Sequence, residues 1–290
     1  MKQRILGPAG QNVGEIGLGG MPMSIKQDRP SEADAIQTLA RAAELGMMLW
    51  DTADAYCIDD RETGHNERLF ARAKAALPTD LRERVLIATK AGHVRPEGRW
   101  ERDGRPEHLR AALEASLKAL NTDCIDLWQF HRPDPSVPYA DSIGVFADAK
   151  REGKVRHVGI SNASAGQIEE ATAIVEVVSV QNQFSPTHRD AETDGSLDKC
   201  RELGLAFLPW SPLGGMGGAK DIGAEGALGR LASELEVSAQ RVVLAWHLAK
   251  YERMIPIPGA SRIESVEDSA RGGEIVLTAA QIEMLDDAFV

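Results

Sequence analysis

The stretch Leu49-Trp50-Asp51-Thr52-Ala53-Asp54-Ala55-Tyr56 is where the fold of this chain is decided. It follows a helical segment and carries the end of an apolar run, Leu45 to Leu49, which stops abruptly at Asp51. Such a run predicts a strand buried on both faces of a parallel sheet. An acid at the end of that strand would lie at the rim where α/β folds place their chemistry. Taken alone, Asp51 is more simply explained as a helix cap or a salt-bridge partner. A functional role for Asp51 therefore depends on whether the other strands also end in polar residues.

Outward from this stretch, short apolar strands alternate with helices along the chain. Helix starts are marked by Ser31, by Pro106 and by Thr278. The segment from Met1 to Glu15 is rich in glycine and predicts a small hairpin ahead of the main fold. Eight strands are predicted, and they end near Gly20, Asp51, Lys90, His131, Asn162, Gln181, Trp210 and Ile257.

This alternation predicts an α/β fold, a (β/α)8 TIM barrel with a short N-terminal β-hairpin and a C-terminal helix. A length of 290 residues suits one such barrel, so residues 1–290 are predicted to form a single domain. A doubly wound open sheet is the alternative fold.

The composition narrows the function classes. The 33 basic and 44 acidic residues give a net charge of −11, which argues against binding to nucleic acid or to anionic membranes. No apolar segment is long enough to span a bilayer, and no signal segment precedes the fold. The three cysteines, Cys57, Cys124 and Cys200, are widely spaced and predict reduced thiols in a cytoplasmic protein. No cysteine and histidine cluster has the spacing of a zinc site, so no metal is expected.

The polar strand ends predict one pocket, because the C-terminal ends of barrel strands share one face. Asp51, Lys90, His131, Asn162, Gln181 and Trp210 would converge there. The glycines from Gly17 to Gly20 do not form a dinucleotide fingerprint, since Pro22 stands where the third glycine would be. They indicate instead a place where a ligand approaches the backbone.

Lysine and tyrosine in such a pocket predict proton chemistry. Asp51 beside Lys90 would keep the amine charged, which opposes a Schiff-base role. A charged Lys90 near Tyr56 would lower the phenol pKa from about 10 toward the working range. Tyr56 would then exchange a proton with a carbonyl or an alcohol, and His131 could hydrogen-bond the same oxygen. A ring such as Trp210 could stack on a flat cofactor.

These residues resemble the signature of the aldo-keto reductase family. The segments that carry the resemblance cover nearly the whole chain in order: Asp51-Thr52-Ala53-Asp54-Ala55-Tyr56, Ala88-Thr89-Lys90, Gln129-Phe130-His131-Arg132, Gly159-Ile160-Ser161-Asn162, Gln181-Asn182, Trp210-Ser211-Pro212-Leu213-Gly214 and Ile257-Pro258-Gly259-Ala260-Ser261-Arg262. The resemblance implies hydride transfer between a nicotinamide cofactor and a carbonyl (aldehyde, ketone or sugar), without metal.

The same resemblance implies residue roles. Tyr56 would be the general acid, Lys90 would lower its pKa, Asp51 would hold Lys90, and His131 would orient the substrate carbonyl. The implied cofactor residues are Gly20 and Met21 after the first strand, Ser161, Asn162 and Gln181 at the carboxamide, Trp210 on the nicotinamide, Ser211, Pro212, Leu213 and Gly214 along the pyrophosphate, and Gly259, Ser261, Arg262, Ser265, Asp268 and Ser269 toward the adenosine.

Several features of the chain, including departures from the family pattern, bear on these roles. Cys57 stands where the family usually has glycine, and its thiol is either reactive or a small packing group. Ser269 replaces the asparagine often found near the adenine. Arg262 is the strong cation of the 2′-phosphate region, so NADP is expected, with NAD possible. The glycine-rich segment after Leu213 predicts a small cofactor lid.

Small-molecule substrate contacts are expected from Met23, in the apolar segment after the first strand, and from Trp100, in a long loop after Lys90. That loop also holds several arginines, which either steer an anionic substrate or pair with the acids interleaved among them. The latter is the simpler explanation for the arginines.

Two other function classes remain open at this point. Potassium-channel β subunits resemble the same family and use the fold partly as a cofactor-sensing partner. A Schiff-base aldolase built on Lys90 is the third class. The oligomeric state is not predicted.

Overall fold

Residues 1–8, 10–215 and 226–289 are described by the computed structural model. The chain begins with an antiparallel hairpin of β1 (Gln3–Leu6) and β2 (Gln11–Gly14). A seven-stranded parallel sheet follows. In spatial order its strands are β3 (Leu18–Gly19), β4 (Leu49–Asp51), β5 (Leu86–Ala91), β8 (Ile125–Phe130), β9 (Val155–Ser161), β10 (Val177–Gln181) and β11 (Ala206–Phe207).

The segment 253–260 closes this sheet into a barrel. On one side, the main-chain N–H of Ile255 donates to the carbonyl of Phe207 at 2.8 Å. On the other side, the N–H groups of Gly17 and Gly19 donate to the carbonyls of Pro256 and Pro258, both at 2.9 Å. Two prolines in the segment explain why it is not a regular strand, since proline lacks an N–H donor. The predicted eight-stranded barrel is therefore confirmed.

Helices surround the strands. Their bounds are Glu32–Glu44, His65–Ala76, Thr79–Arg82, Pro106–Leu120, Tyr139–Arg151, Ala165–Ile174, Ser196–Leu203, Gly226–Glu234, Ala239–Lys250, Ile263–Ala270 and Ala279–Ala288. The predicted caps are present: the side chains of Ser31 and Thr278 accept from the N–H groups of Asp34 and Gln281. In the described part of the chain, none of the helices combines the length and apolar character needed to cross a membrane.

Two apolar clusters stabilise the barrel. The larger lies between the strands and the helices. The smaller fills the barrel interior and joins the hairpin to the strands: Leu6, Val13, Leu49, Leu86, Ala88, Leu127, Val178, Ala206, Leu208, Ile255 and Ile257. Burial of each large aliphatic side chain contributes about 1.5–3 kcal/mol. The hairpin turn needs a glycine, because Gly7 has φ +63° and a Cβ there would lie 2.0 Å from the carbonyl oxygen of Val178. The hairpin therefore packs against the barrel interior at the start of β10.

The segment after Lys90, predicted as a polar loop, includes regular secondary structure. It contains a two-stranded antiparallel ribbon of β6 (His93–Val94) and β7 (Glu101–Arg102). The predicted cofactor lid after Leu213 falls partly on residues 216–225, which lie outside the described residues.

Candidate active site

Lys90 is the centre of the site. It lies near the C-terminal end of β5, and its side chain is fully buried. Its Nζ donates to Asp51 Oδ2 at 2.7 Å, to the carbonyl of Thr52 at 2.8 Å and to the phenolic oxygen of Tyr56 at 2.9 Å. All three N–H bonds of the ammonium group therefore have partners, which fixes its position.

The loop after β4 brings Tyr56 to Lys90. The N–H of Thr52 donates to the carbonyl of Ala88 at 2.8 Å, and the N–H of Asp54 donates to the carbonyl of Lys90 at 3.2 Å. This loop therefore runs along the end of β5, and Tyr56 is placed over the ammonium group with only 7% of its surface exposed.

Two glutamines position the carboxylate of Asp51. Gln181 Nε2 donates to Asp51 Oδ1 at 2.8 Å, and Gln129 Nε2 approaches the same atom at 3.4 Å. Gln181 was expected to contact the cofactor carboxamide. In this structure its amide binds Asp51 instead, so it supports the ion pair with Lys90.

Burial and neighbouring charges together determine the charge states of Lys90 and Tyr56. Burial by itself lowers the pKa of Lys90, but Asp51 and Tyr56 outweigh it and the net pKa is raised, so the amine is charged. The pKa of Tyr56 is also raised, because burial and the negative charge of Asp51 outweigh the effect of Lys90. This is a correction to the expectation that Lys90 brings the phenol toward neutral pH, since that expectation left out desolvation. Tyr56 is protonated at neutral pH.

His131 follows β8 and faces Tyr56, with the two ring centroids 5.7 Å apart. Its pKa lies well below the usual value because of burial and of nearby His93, so the ring is neutral. Its Nδ1 is buried without a hydrogen-bond partner among the described residues. A proton on Nε2 leaves only an acceptor unpaired, which costs less than an unpaired donor. We therefore assign the proton to Nε2.

Asn162 links the ends of three strands. It has φ +56°, a left-handed conformation that asparagine tolerates better than most residues. Its Oδ1 accepts from Arg132 Nη2 at 2.8 Å and from Trp210 Nε1 at 3.2 Å. Its Nδ2 donates to the carbonyl of His131 at 2.9 Å and to Ser161 Oγ at 3.0 Å. Because both ends of the amide are engaged, contact with a cofactor carboxamide requires one of these bonds to exchange.

Trp100 lies beside Tyr56, as its predicted substrate role requires. Its ring centroid is 6.5 Å from that of Tyr56, and the side chain is 45% exposed. Met23 is placed differently from the expectation. It is 1% exposed and belongs to the cluster between strands and helices, because the short 3-10 helix Met21–Met23 turns it inward.

The aldo/keto reductase family model matches residues 15–289. This range includes the barrel and the residues described above at the ends of its strands. The chain belongs to the aldo/keto reductase family. An uncharacterized oxidoreductase of Schizosaccharomyces pombe is 34% identical over 286 residues, which cover 95% of this chain and 86% of that protein. The thermostable aldo-keto reductase Tm1743, solved with the inhibitor epalrestat, is 27% identical with a TM-score of 0.83 and 99% of both chains covered. An aldo-keto reductase from Klebsiella pneumoniae, solved with NADPH, has a TM-score of 0.83 at 22% identity, covering 100% of this chain and 95% of that one.

The residues that the family resemblance assigned to the adenosine end lie around the helix Ile263–Ala270. Arg262 caps this helix without a side-chain bond to its first turn, so the N–H groups there are open to an anion. In the described part of the chain, the exposed guanidinium of Arg262 makes no ion pair. Ser261 and Ser265 are half-buried beside it. These features fit a phosphate.

Other expected cofactor residues are engaged within the protein. Asp268 accepts from Ser238 Oγ at 2.7 Å and pairs with Arg241 Nε at 2.8 Å, which ties two helices together. Ser269 is 5% exposed. Gly20 is packed so closely that a Cβ would lie 2.2 Å from the Phe70 ring, and the neighbouring Met21 is half-buried.

The loop after Trp210 is tightly turned. Ser211 and Gly214 have φ +52° and +82°, and the carbonyl of Pro212 is hydrogen-bonded to His247 at 3.1 Å. Leu213 is buried and Gly214 is exposed. In the neighbouring segment 253–260, a Cβ on Gly259 would lie 2.9 Å from the side chain of Pro22, so glycine is required by the close packing of these loops.

Cys57 is a packing residue. It is fully buried, and burial raises the pKa of its thiol to about 11.

Among the described residues, no three His, Cys, Asp or Glu side chains are grouped as a metal site needs.

Two residues near His131 received no individual role from the sequence. The His93 ring lies 4.5 Å from that of His131, and burial lowers its pKa to about 4. Arg132 binds Asn162, as described above. Both follow strand ends, which is the signal that could have identified them.

Proposed function

We propose that this protein reduces the carbonyl group of a small aldehyde, ketone or sugar, with NADPH as the hydride donor. The observation that carries the proposal is the hydrogen bond from charged Lys90 to protonated Tyr56, with neutral His131 facing the same phenol. This arrangement supplies a proton donor and a second hydrogen-bond donor at one point of the barrel mouth.

Each residue would perform one step. The hydroxyl of Tyr56 and Nε2–H of His131 would hold the carbonyl oxygen of the substrate. As negative charge develops on that oxygen, Tyr56 would transfer its proton, and Lys90 would stabilise the phenolate that remains. Asp51 and Gln181 would keep Lys90 charged and in place.

The cofactor proposal has separate support. NADPH, when bound, would supply the hydride to the carbonyl carbon. The half-buried ring of Trp210 and the amide of Asn162 lie beside Tyr56 and His131, where a nicotinamide would be held. Arg262 and the open helix N-terminus after it suit the 2′-phosphate, which distinguishes NADP from NAD. The NADPH complex of the Klebsiella pneumoniae protein supports the same cofactor.

The charge states favour reduction at neutral pH. A protonated Tyr56 is ready to act as the acid, whereas oxidation of an alcohol needs the phenolate. The raised pKa of Lys90 opposes the Schiff-base aldolase, because imine formation needs the neutral amine.

The test is a panel of aldehydes, ketones, sugars and alcohols assayed with NADPH, NADH and their oxidised forms. Turnover of at least one carbonyl with NADPH supports the proposal. Tight NADPH binding without turnover of any of them would support a cofactor-sensing role instead. A borohydride-trapped adduct on Lys90 would support the aldolase.

A further inference from the structure

The ribbon of β6 and β7 presents its two faces to different surroundings. Because side chains alternate along a strand, Glu101 and Arg102 point to opposite faces of the ribbon. Just before β7, the Trp100 ring lies 5.3 Å from the His93 ring, and Arg99 Nε donates to Glu101 Oε1 at 3.1 Å. His93 is the cross-strand partner of Arg102, so its side chain lies on the same face as Arg102. His93 and Trp100 lie next to His131 and Tyr56 respectively. The face that carries Arg102 is therefore the one that covers the catalytic group.

The arginines of this loop differ in their partners. Arg99 pairs with Glu97 at 2.9 Å and with Glu101 at 3.1 Å, and Arg105 pairs with Asp103 at 2.6 Å. The simpler explanation of these two arginines, pairing with neighbouring acids, is thus correct. Arg95 is buried over the Trp100 ring, 4.0 Å from its centroid.

Arg102 and Arg132 have no such partners. In the residues that the structure describes, neither guanidinium has a carboxylate within ion-pair distance. Each is close enough to influence the same imidazole: burial is the main reason for the low pKa of His93, and Arg132 and Arg102 lower it further. Arg102 also adds to the lowering of the pKa of Arg132, which is due first to burial.

The Asp134 carboxylate, on whose pKa Arg102 has only a minor lowering effect, is already satisfied by other donors. Asp134 Oδ2 accepts from the N–H of Gly104 at 3.0 Å, and Oδ1 accepts from the N–H and hydroxyl of Ser136 at 2.9 and 2.7 Å. In a chain of net charge −11, two arginines without an acid partner beside the catalytic histidine form a local positive region. Such a region attracts anions and disfavours cationic ligands.

We propose that the substrate carries an anionic group, a carboxylate or a phosphate, which Arg102 and Arg132 bind while its carbonyl reaches Tyr56. This inference rests on the proposed reductase function. Arg102 supplies an exposed guanidinium, and Arg132 supplies a half-buried one that Asn162 fixes through Nη2. Planar guanidinium groups match the geometry of both anions.

The experiment compares matched substrates with NADPH: para-carboxybenzaldehyde against benzaldehyde, and glyceraldehyde phosphate against glyceraldehyde. For the wild type we expect kcat/KM to be higher by about tenfold for at least one anionic member of a pair, with the advantage shrinking at high salt. The pair with the larger ratio identifies the carboxylate or the phosphate as the preferred group.

Arg102→Gln should raise KM for the anionic substrate by about tenfold, as expected for the loss of one charge-assisted contact. Its kcat and its kinetics with the neutral partner should stay near wild type, and Arg102→Lys should restore part of the affinity. Arg99→Gln is the matched control, because Arg99 binds the side chain of Glu101, which points to the opposite face of the ribbon from Arg102. This variant should leave the kinetics of both substrates unchanged.

Three results would overturn the inference. The first is equal kcat/KM for neutral and anionic members of both pairs. The second is an Arg102→Gln variant that loses kcat/KM equally on both members of a pair, and the third is an Arg99→Gln variant that loses as much as Arg102→Gln. Turnover of benzaldehyde or glyceraldehyde in these cases leaves the reductase function intact, whereas no turnover of any carbonyl points to failure of the proposed function itself.

Discussion

Lys90 donates a 2.9 Å hydrogen bond to the phenolic oxygen of Tyr56, and neither side chain is more than 7% exposed. Water has little access to this pair, so the charge of the lysine acts on the phenol through a medium of low polarity. The effect of Lys90 on a developing phenolate should therefore be large.

Lys90→Met should lower kcat for carbonyl reduction by a factor of about 10² or more, because a neutral side chain cannot stabilise the phenolate. Affinity for NADPH should change little, which fluorescence titration can measure. A circular dichroism melt is needed as a control, since the variant leaves Asp51 buried without its cation. Near-native kcat in a folded variant would contradict the role of Lys90.

The pH profile follows from the charge states. Tyr56 works as an acid only while protonated, and its raised pKa places the loss of the proton above the usual tyrosine value of about 10. The kcat/KM for reduction should therefore fall only on the alkaline side of that value. The pKa of His131 lies well below the usual histidine value of about 6.5, so the ring is already neutral at that pH. No change in kcat/KM is therefore expected near pH ~6.5. A fall of kcat/KM between neutral pH and the alkaline limit would contradict the assignment to Tyr56.

Much of the fold and of the catalytic group is predictable from the sequence. Strand and helix alternation is a local pattern, and the C-terminal ends of barrel strands share one face whatever their sequence. For this reason Asp51, Lys90 and His131 can be placed together from the sequence alone. The same local signals predict the caps at Ser31 and Thr278.

The features that the sequence does not predict depend on contacts between distant residues. The partners of Asn162 come from two other strand ends, and Met23 is buried because of the direction of one short helix. The pKa of Tyr56 is a balance between burial and two opposite charges, and the degree of burial follows only from the folded chain. Pairing of β6 with β7 decides which face Arg102 occupies.

Arg262→Ala tests the cofactor assignment. Loss of a charge-assisted contact to the 2′-phosphate should weaken NADPH binding by about ten- to a hundredfold and leave NADH nearly unchanged. Calorimetric titration of both cofactors provides the measurement. Arg271→Ala is the matched control, because Arg271 lies just after the same helix and pairs with Glu274. Equal losses for both cofactors would show that Arg262 does not recognise the phosphate.

Cys57 should be inert in the native protein. Its thiol is buried and its raised pKa leaves almost no thiolate at neutral pH. Alkylation with iodoacetamide followed by peptide mapping should modify half-buried Cys124 first and leave Cys57 unmodified until the protein is denatured. Early modification of Cys57 in the folded protein would show that this thiol is accessible.

The most direct measurement of the central claim is the single-turnover rate of Tyr56→Phe with NADPH and a carbonyl substrate. The ring remains and only the proton donor is lost, so we predict a rate lower by about 10²-fold or more, with unchanged NADPH affinity. A rate close to that of the wild type would contradict the account, because the proton would then come from another group.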